Sequence, residues 1–553
     1  MSAAPPRDTS SRVAAAAGIA TTVALTAALV WPAFGPGVLL YRDFVGVPDP
    51  VLGARALGRD GLPPRAVPLD AVVAVLARVV PSGAIQQALL AGSLLLAGIG
   101  VSVLLRRHGW VATVVAAALT TWSPYAVERL LLGQPPTLLA WSALPWIVMA
   151  VRRPGPRGGW LARVALAAAP AALTPFGGAS AVVVALVVAA WGAPVRRPAR
   201  QLLALGGLGV AWCLPWLASA LAGSNRSTGD PDGALAFAVR PDGVLGLLDT
   251  LGGGGIWASG AVPGSRLTLG PILLGLVPVA LALVAVGPAW RSLRAPAPRG
   301  VDPLASPQGS GTPVPSDPAT RRRALAAAAL LLPSAVVLLT GSELARPLVT
   351  ASQTVPGFAL VRDGHRLLGL TAMTAAVLTG VLAAAVVRRG AVPVAVALAA
   401  LGVAVGSVPD AAARLHTAYR PVAFPSGWTQ VVAAAGGRDV LVLPWQPFRQ
   451  QAWAGDAPFL DPSPLALPGV VHLSGDLVVV RDGADVVVSD GPDPDGQAWA
   501  AGQIDAARLD ALGIGAVLEW RGTPGTLPTD HPGLRLAVDS EHWRLWLRDT
   551  TRG

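Results

Sequence analysis

Three short stretches hold side chains able to do chemistry in a chain that is otherwise mostly Ala, Leu and Val. The first is "GVLLYRDFVGVPDP", in which Asp43 follows Arg42 and Asp49 lies between two prolines. A carboxylate beside an Arg can act as a general base or bind a cation. The second is "SPYAVERLLLGQ" (Ser123–Gln134), in which Glu128 and Arg129 are adjacent. Neighbours on a helix point about 100° apart, so these two are poorly placed to pair and each needs another partner. The third is "PGFALVRDGHRLLGL" (Pro356–Leu370), where Arg362, Asp363, His365 and Arg366 crowd together. Two guanidiniums there could clamp a phosphate with forked hydrogen bonds. Each stretch also has a plain reading: solvated turn charges, interfacial snorkelling with a structural salt bridge, or an amphipathic collar.

A fourth stretch, "LGGGGIWASG" (Leu251–Gly260), lacks the Lys-Ser/Thr of a phosphate-binding loop and reads as a flexible loop. Trp257 within it could stack on a sugar face. The one cysteine, Cys213, lies in an apolar run, so an internal disulfide is impossible and it reads as a buried apolar residue.

The elements that position these residues follow from composition. The 553 residues are 53% hydrophobic and 13% charged, whereas soluble proteins carry roughly 25% charged residues. Apolar runs alternate with Arg clusters, the pattern of a polytopic membrane protein. The net charge of +11 therefore belongs to loops flanking membrane spans and is no footprint for nucleic acid. About eleven spans satisfy the length rule: 13–31, 85–105, 110–127, 135–151, 160–175, 178–192, 201–221, 269–288, 324–340, 367–387 and 391–408. Arg106–Arg107, Arg152–Arg153, Arg196–Arg197–Arg200, Arg321–Arg323 and Arg388–Arg389 all fall on one side if the N-terminus is cytoplasmic. That places the first long loop (32–84), all three clusters and the C-terminus outside. A Pro- and Ser-rich stretch, 291–323, reads as a disordered cytoplasmic linker. Beyond 408, turn-bounded β-branched runs such as "DVLVLPW" and "DLVVVRDGADVVVSD" mark a small α/β domain, 409–553. The expected fold is an all-α polytopic membrane bundle (1–408) carrying an extracytoplasmic α/β domain.

On such a bundle, the Asp-bearing first outer loop, "SPYAVERLLLGQ" leading into "LLAWSALPW", and "FALVRDGHR" before a late helix resemble C-type (GT-C) polyprenyl-phosphate-sugar glycosyltransferases. The resemblance covers about residues 1–410 and leans toward the actinobacterial membrane proteins related to envelope arabinofuranosyl- and mannosyltransferases. It implies a multi-pass protein of the bacterial plasma membrane that takes a sugar from a polyprenyl-phosphate donor. The acceptor would be an envelope glycan or lipid at the outer face. The family places its catalytic carboxylate in the first outer loop; Asp43 matches best and Asp49 second. No Asp-Asp or Glu-Asp pair occurs there, which leaves open whether a divalent cation is used.

An inverting transfer needs a base near the acceptor hydroxyl and positive charge at the departing phosphate. By the resemblance, Asp43 would supply the base, while Arg129, Arg362, Arg366 and Arg42 would face the phosphate. Glu128, Asp363, His365 and Trp257 would support them, with Arg129 pointing into the bundle beside Arg362 or Arg366 and Glu128 holding one of these guanidiniums. Two other classes fit the same composition: a transporter or flippase of an envelope precursor, and a non-catalytic envelope assembly factor.

Overall fold

In a computed structural model the chain is described over residues 9–61, 66–153, 155, 157–192, 198–222, 230–294, 318–355, 362–455, 457–481, 483–489 and 494–548. Most of the linker expected at 291–323, the Arg196–Arg197 pair and the Pro356–Val361 half of the third cluster lie outside these residues.

The chain is a helical bundle followed by a small C-terminal strand region. Helices form in all eleven expected apolar runs, but the expectation of eleven spans is not met. Among the described residues seven helices are long and apolar enough to cross a membrane: Thr9–Ala33, Ser82–His108, Trp110–Leu131, Ala199–Leu221, Leu269–Gly287, Arg323–Thr340 and His365–Val387. An eighth arises if Pro393–Ser407 and Ala411–Ala418, bent by 53°, count as one. The shortfall has a physical reason. The helix Arg157–Ala172 has 16 residues, about 24 Å at 1.5 Å per residue against a hydrocarbon core of about 30 Å. Pro175–Trp191 is also short, and Pro135–Arg152 is diluted by prolines, tryptophans and an Arg.

Trp110–Leu131 is the central element: 94% of its apolar window is buried, against 11–56% for the other spans. Pro124 breaks it, because a proline offers no N–H and pushes the preceding residue toward extended backbone. Ser123 accordingly sits at φ −114°, ψ 148° and caps the second half, Pro124–Leu131, its Oγ accepting from the Ala126 N–H at 3.2 Å. This rigid break carries Glu128 and Arg129 into the core. Small residues let the helices approach: a Cβ on Gly369 would lie 2.7 Å from the Tyr125 ring.

In the C-terminal region the sheet runs in the order Leu534–Asp539, Trp543–Arg548, Ile514–Trp520, Asp439–Leu443, Val471–His472, antiparallel on one side and parallel on the other. Alternate residues face opposite sides of a strand. Val440, Val442, Ala516 and Leu518 therefore meet Trp428 and Val431 of the helix Gly427–Ala435, while Leu441, Leu443 and Val517 meet Trp499 and Leu509. The run expected to join this domain, "DLVVVRDGADVVVSD", forms a separate hairpin (Leu477–Arg481 with Ala484–Val488) whose Val479 and Val488 enter the core of the helical bundle. Ala411, Leu415 and Tyr419 pack in that bundle core as well.

Candidate functional site

The loop after the first helix folds back as a short hairpin, Val38–Tyr41 with Phe44–Val45, and Arg42-Asp43 forms its turn. Both halves of the molecule clasp it. From the bundle, Gln86 uses its amide as a strand would, accepting from the Leu39 N–H (2.9 Å) and donating to the Leu39 carbonyl (3.1 Å). From the C-terminal region, Pro421–Val422 pairs with Val38–Leu39. The Arg42 N–H donates to the Pro458 carbonyl at 3.0 Å, and the Leu460 N–H donates to the Arg42 carbonyl at 2.8 Å. These bonds hold Arg42 at φ +49°, an unusual value for a residue other than glycine, and leave Asp43 exposed.

From Asp43 a continuous polar path runs into the bundle. The Gln134 Nε2 donates to Asp43 Oδ2 at 3.0 Å, and Gln134 Oε1 accepts from Arg129 Nη1 at 2.8 Å. Arg129, wholly buried, forks onto Asp363 with Nη1–Oδ2 at 2.6 Å and Nη2–Oδ1 at 2.8 Å. Arg366 reaches the same carboxylate at 3.2 Å and is a quarter exposed, its guanidinium 5.3 Å from the Phe176 ring centroid. Burial alone would raise the Asp363 carboxyl, but the Arg129 guanidinium and its hydrogen bonds, then Arg366, hold it well below the usual carboxylate range. The three sequence clusters are thus one assembly. Gly133 makes room for it: at φ +80°, its Cβ would lie 2.7 Å from the Asp43 nitrogen and the Tyr41 carbonyl.

Glu128 leaves the helix in another direction and does not hold a guanidinium of this assembly, contrary to expectation; Asp363 does. Glu128 Oε2 accepts from the Ile256 N–H at 3.1 Å and lies 3.3 Å from His365 Nε2. His365 stacks on Tyr125 and approaches the Gly253 carbonyl at 3.3 Å. Asp242 Oδ1 accepts from the Gly255 N–H at 2.7 Å and its Oδ2 pairs with Arg266 at 2.8 Å. The glycine-rich stretch is therefore not a flexible loop. It is buried from Gly252 to Ala258 and latched at three successive points by Glu128, Asp242 and His365. Burial, then the neighbouring Glu128 carboxylate, push Asp242 up to about 7, with Arg266 pulling the other way.

The remaining candidates fall apart from this path. Asp49 is exposed beyond the hairpin. Trp257 is buried edge-on against Phe237 (4.9 Å) and presents no face to a sugar. Arg362 also packs on Phe237, its guanidinium 4.2 Å from the ring centroid. The Arg42 side chain turns toward Gly260, whose Cβ would come within 2.7 Å of Nη2. Among the described residues, no group of three or more His, Cys, Asp and Glu side chains is placed to hold a metal ion. Beside the helix break a small, mostly apolar cavity of about 30 Å³ lies between Trp122, Ser123, Leu251, Leu274, Ala372 and Val403.

Sequence reasoning missed Gln134, Gly133, Gln86, Asp242 and Arg266. Gln134 had a signal: an amide, donor and acceptor at once, ends the very motif that holds Arg129. No protein-family model matches the chain, and no curated protein matches it significantly.

Proposed function

We propose that the chain is a membrane glycosyltransferase of a bacterial plasma membrane, moving a sugar from a polyprenyl-phosphate donor to an envelope glycan or lipid acceptor. In this reading the N-terminus is cytoplasmic and the C-terminal region lies outside. The observation that carries it is the path Asp43–Gln134–Arg129–Asp363–Arg366, which joins residues from three remote segments and ends on an exposed carboxylate. Asp43 would take the acceptor hydroxyl's proton as that oxygen attacks the sugar's anomeric carbon. The bond to the donor phosphate breaks, and its electron pair leaves on the phosphate oxygen. Gln134 orients the base. Arg129 is committed to Asp363, so Arg366, a quarter exposed, is the better candidate to offset the phosphate's charge.

The test is transfer of radiolabelled sugar from a polyprenyl-phosphate donor by the purified protein in lipid nanodiscs. Asp43→Asn should keep the fold and lose about 10²–10⁴ in rate. Unchanged turnover would remove Asp43 from the mechanism. A transporter or flippase reading draws on the buried Glu128–His365 and Asp242–Arg266 pairs, since ionisable groups inside a bundle often mark transport pathways. It predicts labelled lipid crossing a vesicle with no covalent transfer.

A further inference from the structure

The hairpin Leu477–Arg481/Ala484–Val488 has two apolar faces, and among the described residues only one has a partner. Its inner face sends Val479 and Val488 into the bundle core. Arg481 Nη1 donates to the Ala238 carbonyl at 2.8 Å, and the Ser489 N–H donates to Asp230 Oδ2 at 2.8 Å. On the outer face Val478 pairs across from Val487, and Val480 follows one pleat along. These three valines are 56%, 48% and 54% exposed. An antiparallel pair with one wet face alternates apolar inside and polar outside. Among the described residues Asp485, opposite Val480 and next to the turn, is the one charge on that face.

The location says what meets these valines. The short helix Arg346–Gln353 begins just beyond Thr340, where the span Arg323–Thr340 ends. Leu344, just before it, and Leu348 within it are 86% and 74% exposed, beside the paired charges Glu343 and Arg346. An apolar stripe edged by charges, one turn past a span, is the pattern of a segment lying in the membrane interface. Hairpin and helix both pack on the one-turn helix Gly233–Ala236, which brings them close together near the end of that span.

We infer that Val478, Val480 and Val487, together with Leu344 and Leu348, rest in the interface of the bilayer that holds the bundle, making the hairpin a lipid-binding foot of the C-terminal region. This surface is independent of sugar transfer. It bears on the site through Phe237–Val239, the segment that Arg481 grips and on which Arg362 stacks.

The test uses the full chain with Cys213 replaced by Ala and single cysteines at Val478, Val480, Val487 or Leu348, with Glu541 of the five-stranded sheet's hairpin turn as control. Each is labelled with an environment-sensitive fluorophore and reconstituted in phosphatidylcholine vesicles containing lipid with a nitroxide near the top of the acyl chain. The expected result is blue-shifted emission quenched by the nitroxide at all four positions, and neither effect at Glu541. Water-like emission at the valines would overturn the inference. So would blue-shifted emission untouched by the nitroxide, which would mean that a second copy or another protein covers the face.

Discussion

Removing the carboxylate of Asp363 should be the most damaging single change in the bundle. Asp363→Asn leaves the wholly buried Arg129 guanidinium facing one amide oxygen in place of the two oxygens it now forks at 2.6 and 2.8 Å. Breaking a buried pair on one side costs about 3–5 kcal/mol, whereas an exposed pair is worth about 0–1 kcal/mol. Arg366, a quarter exposed, falls toward the second case. Replacing both partners by apolar side chains, Arg129→Met with Asp363→Leu, removes the stranded charge, and such swaps are often neutral or stabilising. The double variant should therefore regain most of the stability lost by Asp363→Asn. It should not regain transfer, because Gln134 has lost its anchor. The measurement is the folded fraction during SDS titration in mixed micelles at pH 5–8. In that range the pair is fully ionised: a depressed native carboxyl contributes stability above its unfolded pKa of about 3.9 and loses it only as pH falls below that value. The reasoning fails if Asp363→Asn lies within about 1 kcal/mol of the parent, or if the double variant is no more stable than the single one.

Other expectations follow from the same geometry. Arg129→Lys keeps the charge but loses the fork that serves Asp363 and Gln134 together, so it should cost roughly 1–3 kcal/mol in the same titration. Gly133→Ala must adopt φ +80° and push on the Asp43 turn; a strain of about 1–3 kcal/mol should lower transfer more than melting temperature. Gln134→Leu should leave the melting temperature close to that of the parent and reduce transfer by about 10–100-fold through loss of positioning. Asp242, with a native pKa raised to about 7, keeps a proton that the unfolded chain gives up near 3.9. Its contribution to stability is therefore fully present below about pH 4 and lost as pH rises to about 7. Asp242→Asn should flatten melting temperature against pH across that window, and an unchanged profile would exclude Asp242 as its source.

Much of the local architecture was legible in the chain. The apolar runs became helices, Ser123-Pro124 broke the third, and the adjacency of Glu128 and Arg129 kept them from pairing. The number of membrane-competent helices was not legible in the same way. Apolar composition marks a run as greasy, but crossing depends on helix length, and Arg157–Ala172 ends too soon.

Sequence alone determined features set within a few neighbouring residues: helix periodicity, the proline break, the alternating strands of the C-terminal region and the directions in which Glu128 and Arg129 depart. Tertiary structure decided every partner. Arg129 meets Asp363 across 234 positions and Gln134 meets Asp43 across 91. Leu39 lies 47 positions from the Gln86 that holds it. No local rule links such residues, because the choice among distant carboxylates, amides and guanidiniums is made by whichever helices pack side by side. The same holds for the glycine-rich stretch: its sequence permits flexibility, and three buried side chains from other elements remove it. Removing a charged or polar group from water is costly until a partner satisfies it, so the packing that buries Glu128 and Arg129 also dictates what they bind.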